Sequence, residues 1–386
     1  MTNRVTTKNK GIVSKLPLTI SAQDGLVSQE EFFDKKVAST DLSSYLLLHL
    51  GDFAYNKSYS SGYPFGTIKR LEKYPQGVVS SLYIAFKPKS RISSNFMAQY
   101  YESSNWHKEI YKCAAEGARN HGLLNVSPTD FFATNLKIPI AKSEQLKIGK
   151  LLKDVDQTIT LHEEKKRQLE RLKSALLQKM FADKSGYPAV RFVGFENAWE
   201  QCKLGDVATF SKGTGYSKSD LIETGSPIIL YGRLYTKYET KIRNVDTFVV
   251  PKAGSVVSKG GEVIVPGSGE TAEDISIASV VEPAGILLGG DLNIIYPNTD
   301  LDPTFLAITI SNGRPHFDMA RRAQGKSIVH LHNADLKQIL LKTPNLSEQK
   351  QICRIFESLD RTITLHDQKL RLLKYAKQSL LQKMFI

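Results

Sequence analysis

The chain contains one stretch twice. Ser143–Phe181 reads SEQLKIGKLLKDVDQTITLHEEKKRQLERLKSALLQKMF, and Ser347–Phe385 reads SEQKQICRIFESLDRTITLHDQKLRLLKYAKQSLLQKMF. The copies align without a gap at an offset of 204 residues, with about half their positions identical. Recurrence of TITLH and then LLQKMF at one offset marks an internal duplication, so the chain must fold as two related units.

Each copy carries a helical pattern. In the second, Ile352, Phe356, Leu359, Ile363, His366, Leu370, Leu373, Lys377, Leu380 and Met384 follow the alternating four-three spacing of a coiled-coil seam. The matching first-copy positions are Ile148, Leu152, Val155, Ile159, His162, Lys166, Leu169, Lys173, Leu176 and Met180. Neither copy contains proline, and Gly149 is the single glycine. A helix of this length measures about 58 Å at 1.5 Å per residue. A narrow apolar stripe on so long a helix needs a second long helix, and the other copy is the best match. Both copies open with Ser-Glu-Gln after a proline-containing segment, an entry signal short of a full capping box.

The repeat divides the 386 residues into a first head (1–142), a first long helix (143–181), a connector (182–198), a second head (199–346) and a second long helix (347–386). Three scattered cysteines, Cys113, Cys202 and Cys353, form no CxxC spacing and suit a reducing cytoplasm. The N-terminal MTNRVTTKNKGIVSK has no apolar signal-peptide core, and no apolar run reaches membrane-spanning length, so a soluble cytoplasmic protein is expected. The net charge of +13 points to a polyanionic partner. Its distribution is uneven: the first head is +7, residues 143–198 are +3, the second head is −1 and the last helix is +4.

The first head reads as mixed α/β. LVSQEEFFDKKV predicts a strand or turn entering a short helix, and DLSSYLLLHLGDFAYN a helix running into a strand. Gly77–Phe86 predicts a buried strand, Ser94–Ala114 an amphipathic helix and Lys137–Ile140 a closing strand. The second head reads as richer in strands, at Pro227–Tyr231, Thr247–Val250, Glu262–Val265, Ile275–Val281 and Asn293–Tyr296. A helix over Pro303–Ser311 then precedes a basic segment and the strand-like Ser327–Leu331. The fold class is therefore α/β (α+β): two globular heads and two long antiparallel coiled-coil helices related by a pseudo-two-fold, a calliper holding two heads apart.

The chemical motifs are weak. Gly325-Lys326-Ser327 ends like a phosphate loop, but Ala320 stands where that loop needs glycine. Gly267, Gly269 and Ala272 imitate a dinucleotide turn without a following helix, so a tight turn is expected. His330 and His332 lack a third metal ligand. His162 and His366 occupy equivalent seam positions, where a polar register-setting layer or plain partial exposure is the expected role and a proton switch the alternative. No HExxH, GxSxG, paired-carboxylate nuclease pattern or Asn-Pro-Pro-aromatic motif is present, which argues against chemistry by this chain and names no metal or cofactor for it.

For nucleic acid, the candidates are basic and polar loop residues able to reach phosphates or base edges. In the first head they are Lys57, Lys69, Arg70, Arg119, Asn120 and His121. In the second they are Lys212, Arg233, Lys237, Arg243, Arg321, Arg322 and Lys326. Surface lysine and arginine are common, so under half of these are expected to touch DNA. The nearby Tyr63, Phe65, Tyr231 and Tyr235 are expected to pack rather than stack. Helix pairing and partner docking are assigned to Ile148, Leu152, Val155, Ile159, Leu169, Leu176, Ile352, Phe356, Leu359, Ile363, Leu370, Leu373 and Leu380.

Together these features resemble the specificity subunit of type I restriction-modification systems. The resemblance rests on the doubled SEQ…TITLH…LLQKMF helices, the connector YPAVRFVGFENAWEQCKLGDV and the closing pattern GKSIVHLHNADLKQILLKTPNLSEQ, with VIVPGSGETAEDI and PFGTIKR as weaker signals. It implies two target-recognition domains, each reading half of a split, asymmetric DNA site. It further implies long helices that set the spacer and dock two methyltransferase (modification) subunits. S-adenosylmethionine, ATP and Mg would belong to those modification subunits and to the restriction/translocase subunits, not to this chain. The second unit opens with FENAWEQCKLGDV and the first has no counterpart, so the first head is expected to lack its opening strand or to borrow one. The alternative reading is a helix-mediated scaffold or silent specificity cassette without productive DNA binding.

Overall fold

Both duplicated stretches form continuous helices, Lys142–Lys179 and Leu346–Met384, in the computed structural model. The structure describes residues 1–35, 37–58, 62–114, 124–325 and 328–385. It contains two compact units, Met1–Glu164 with His366–Ile386, and Lys165–Leu365. The division falls inside both helices, so each unit owns one head, half of one helix and half of the other.

The four-three pattern dictates which helix positions leave solvent. All twenty seam positions are buried or half-buried. In the first unit Lys377 pairs with Asp156 at 2.6 Å, Lys374 with Glu163 at 2.7 Å, and His366 meets His162 with their Nδ1 atoms 2.9 Å apart. Residue numbers rise on one helix as they fall on the other, so the two halves run antiparallel. In the second unit Lys173 pairs with Asp360 at 2.5 Å, which is the Asp156–Lys377 pair carried over by the repeat. One of the two facing imidazoles must donate and the other accept, which makes this a directional polar layer among apolar ones.

Each head is built onto two helix ends. In the first unit a four-stranded antiparallel sheet runs in the order Thr2–Arg4, Ile84–Pro88, Phe53–Asn56, Thr67–Arg70. Its aromatic face (Phe53, Tyr55, Phe86) packs with Phe96 and Trp106 onto Ile148, Leu152 and Phe385. In the second unit a five-stranded sheet runs Ala208–Lys212, Leu292–Pro297, Glu262–Pro266, Ser279–Val281, Lys241–Ile242. Its core joins Val263, Ile295 and Phe305 to Met180, Ile352 and Phe356.

The Ser-Glu-Gln entry explains the docking. The Gln145 Oε1 accepts the Ser93 N–H at 2.9 Å while its Nε2 donates to the Pro139 carbonyl at 2.9 Å. Gln349 repeats this, accepting from the Asp302 N–H at 2.8 Å and donating to the Pro344 carbonyl at 2.8 Å. Ser93 and Asp302 are the N-caps of the equivalent helices Ser94–Glu102 and Pro303–Ser311. Gly149 serves close approach: a Cβ there would lie 2.5 Å from the Phe96 backbone nitrogen. Its repeat equivalent Cys353 instead places its thiol 3.4 Å from the Asp302 carboxylate.

Several local expectations fail for identifiable reasons. No helix forms over Asp41–Leu48; Leu46–His49 is a strand paired with Gln76–Val79, its three leucines buried, which overrides leucine's helix preference. Gly77–Phe86 is two strands in different sheets, broken by a turn in which the Tyr83 N–H donates to the Ser80 carbonyl at 3.0 Å. Ser94–Ala114 is two helices, Ser94–Glu102 and His107–Ala114, because the Ser103 hydroxyl donates back to the Tyr100 carbonyl at 2.7 Å and its backbone turns extended. Lys137–Ile140 forms no strand with any described residue, and Ile275–Val281 is a strand only over Ser279–Val281. The basic segment after Ser311 is the helix Gly313–Arg322. The connector is docked: Arg191 grips Glu348 through two hydrogen bonds of 2.8 and 2.7 Å, and the Val190 N–H donates to the Lys179 carbonyl.

Candidate nucleic-acid interface

Cations that could meet phosphate must be free of carboxylates and exposed, and the structure sorts the candidates on those terms. In the first unit Lys69 pairs with Glu102 at 2.6 Å, with its side chain only 13% exposed. Arg70 is bonded to Glu72, to the Ser94 hydroxyl at 2.9 Å and to the Asn95 side chain at 2.9 Å, fastening its strand to the next helix. Lys57 donates to the Val126 carbonyl at 3.1 Å, and burial lowers its pKa. It nevertheless lines a concave surface of about 390 Å³ together with Arg4 and Lys8, and no carboxylate is among the described lining residues. Arg4 and Lys8 were not legible as site residues, because their partners in this cleft lie about 50 residues away in sequence. Arg119, Asn120 and His121 lie outside the described residues, as does Lys326.

In the second unit Arg233 is an interior residue. Its side chain is 7% exposed and donates to Asp246 and Glu239 at 2.8 Å each and to the Asn244 carbonyl at 2.8 Å. Lys237 also pairs with Asp246 at 2.8 Å, the largest cause of the lowered pKa of that carboxyl. Arg243 pairs with Glu282 at 2.8 Å and Arg322 with Asp318 at 3.4 Å. Lys212 and Arg321 are exposed, and their side chains have no ion pair with any described residue. On the helix Gly313–Arg322, Arg321 shares a face with exposed Arg314, seven residues earlier, and with Phe317, which is 64% exposed. This Arg-Phe-Arg stripe was missed, although its spacing was present in the sequence; the segment reads as a basic loop until it is known to be helical.

His330 and His332 lie parallel with centroids 6.5 Å apart, and no metal-binding cluster occurs among the described residues. Phe65 packs on His107, while Tyr235 packs on Tyr231 and donates to the Ser268 carbonyl at 2.6 Å. Of the helix residues, Ile148, Leu152, Ile352 and Phe356 are consumed by the head cores. The large apolar side chains left exposed on the helices include Leu161 and Leu365, which are repeat equivalents, and Leu372 and Tyr375. Among the described residues no helix is long and apolar enough to cross a membrane.

Two sheet-bearing heads, each seated on the start of one long helix and the end of another, define a duplicated recognition architecture. Residues 52–171 and 196–375 match the type I restriction modification DNA specificity domain, and the chain belongs to that family with two copies of the domain. It is 21% identical over 320 residues to the type I restriction enzyme MjaVIII specificity subunit of Methanocaldococcus jannaschii, covering 79% of this chain and 73% of that one. The S subunit of a type I restriction-modification system from M. genitalium superposes with a TM-score of 0.59 at 14% identity, over 100% of this chain and 96% of the other. A chain from a structural study of complex assembly and conformational transition of the type I R-M system gives 0.50 at 16% identity, over 100% and 97%. These two likenesses concern the fold.

Proposed function

We propose that this chain is the non-catalytic, cytoplasmic specificity subunit of a type I restriction-modification complex, each head reading one half of a bipartite, asymmetric DNA site. The observation that carries the reading is the recurrence, in both units, of the same head-to-helix construction: the glutamine clamp and the Asp–Lys pair between helix halves. Different loops on a common frame suit two different half-sites. We assign residues 1–142 and 199–346 to the two recognition domains and the helices to setting the spacer. In the first head the cleft of Arg4, Lys8 and Lys57 tracks phosphates; in the second, Lys212 and the Arg314-Phe317-Arg321 stripe approach the duplex. Exposed Leu161 and Leu365, equivalent in the repeat, offer the same apolar contact twice, as docking of two methyltransferase subunits requires.

Co-expression with a modification subunit, followed by single-molecule mapping of methylated adenines, tests this. A split, asymmetric motif is expected. A continuous motif, or none in the presence of a stable complex, would overturn it.

A further inference from the structure

The repeat aligns the segments that lead into the two long helices, and one position filled in the second unit is open among the described residues of the first. In the second unit the strand Leu340–Thr343 pairs antiparallel with Glu200–Lys203, Leu341 opposite Cys202 and Thr343 opposite Glu200. The Leu204 N–H donates to the Ile339 carbonyl, so residues 339, 341 and 343 turn their hydrogen-bonding groups toward this second strand. The sequence LLKTP there corresponds to NLKIP at 135–139, and the glutamine clamp on Pro344 and Pro139 confirms the alignment.

Asn135–Ile138 belongs to no helix or strand, and no described residue forms a ladder with it. Its alternate amides are already used from inside: the Asn135 N–H donates to Glu109 at 2.9 Å, and the Lys137 N–H faces the Tyr100 phenol. The outward groups of Leu136 and Ile138, counterparts of Leu341 and Thr343, have no partner among the described residues. A second difference lies close by in sequence. Glu348 is 1% exposed because Arg191 of the connector grips both its oxygens, whereas the equivalent Glu144 is exposed with no pairing cation among the described residues. The aromatic seal, by contrast, is complete: where Trp199 packs edge-on to Phe181, Tyr100 packs edge-on to Phe385.

We infer that the Asn135–Ile138 edge and Glu144 form a docking site for an extended arm of a partner protein. That arm resembles this chain's own connector, with an arginine about nine residues ahead of a strand-forming stretch, as Arg191 precedes Glu200. The strand completes the ladder by β-addition and the arginine takes the carboxylate bidentately. Because the apolar seal already exists, the arm contributes edge hydrogen bonds and one ion pair, and the first head folds without it.

The test uses the full chain and a fluorescent synthetic peptide copying residues 187–204. Saturable binding is expected, with hydrogen exchange slowed at Leu136 and Ile138 and unchanged over 340–343. Glu144→Gln, a surface change that leaves folding intact, is expected to weaken binding about tenfold. A peptide with glutamine for its arginine should bind equally weakly to both chains. Absence of saturable binding, or protection confined to 340–343, would overturn the inference. So would Glu144-dependent dimers of the chain alone, which would make a second copy the occupant.

Discussion

Arg233 and Arg321 are both arginines of the second head, and residue type alone cannot separate them. Arg233 lies inside a cage of Asp246, Glu239 and the Asn244 carbonyl, while Arg321 projects from the end of a helix without a carboxylate. A hydrogen-bonded interior guanidinium contributes to stability, and a free exposed one is available to phosphate. Arg233→Ala is therefore expected to destabilise the chain by about 1–3 kcal/mol in denaturant unfolding. Arg321→Ala is expected to leave unfolding unchanged while weakening DNA binding and reducing its salt dependence by about one counterion. Equal loss of stability in both variants would show that the sorting by partners is wrong. The candidate interface was legible as a set of residue types, and only partly as a set of positions. Lys69 and Arg70 belong to internal pairs that no local pattern announces, and Arg4 joins Lys57 only through the chain's return across the sheet.

At the scale of elements, the long helices were the most legible part of the chain, since a four-three repeat sustained over 39 residues fits no other structure. Their attachment to the heads was less so. Gly149 reads in sequence as a weak point in a helix, where alanine is favoured by about 1 kcal/mol. In the structure it is the point of closest approach to the backbone at Asn95 and Phe96. Gly149→Ala is accordingly expected to destabilise the first unit by roughly 1–3 kcal/mol, opposite in sign to the propensity effect. Thermal unfolding of the full chain measures this, and a raised midpoint would mean that the helix can move away. Strands are least legible where their partners are distant: Leu46–His49 becomes a strand because Gln76–Val79 lies beside it, whereas Asn135–Ile138 has no ladder partner among the described residues.

For the whole molecule, duplication has a functional consequence that follows from independence of the heads. Each core is closed within its own unit, so exchanging residues 1–142 for another head of the same family should alter one half-site and preserve the other. Methylation mapping of the hybrid reads this directly, and a change in both halves would refute separate readout. The central histidine pair has the same logic on a smaller scale, since a residue duplicated at offset 204 meets its own copy across antiparallel helices.

The sequence by itself determined the duplication, the two long helices and their buried faces, the mixed character of the heads and the family they belong to. Each of these is written in periodic or repeated patterns, which local physics converts directly into structure. Only the tertiary structure decided which cations are free of carboxylates among the described residues, where the helix between Gly313 and Arg322 turns a basic segment into an Arg-Phe-Arg face, and which segment before a long helix has no ladder partner among the described residues. Those outcomes depend on contacts between residues far apart in sequence, and a side chain's charge does not reveal whether the fold has already neutralised it.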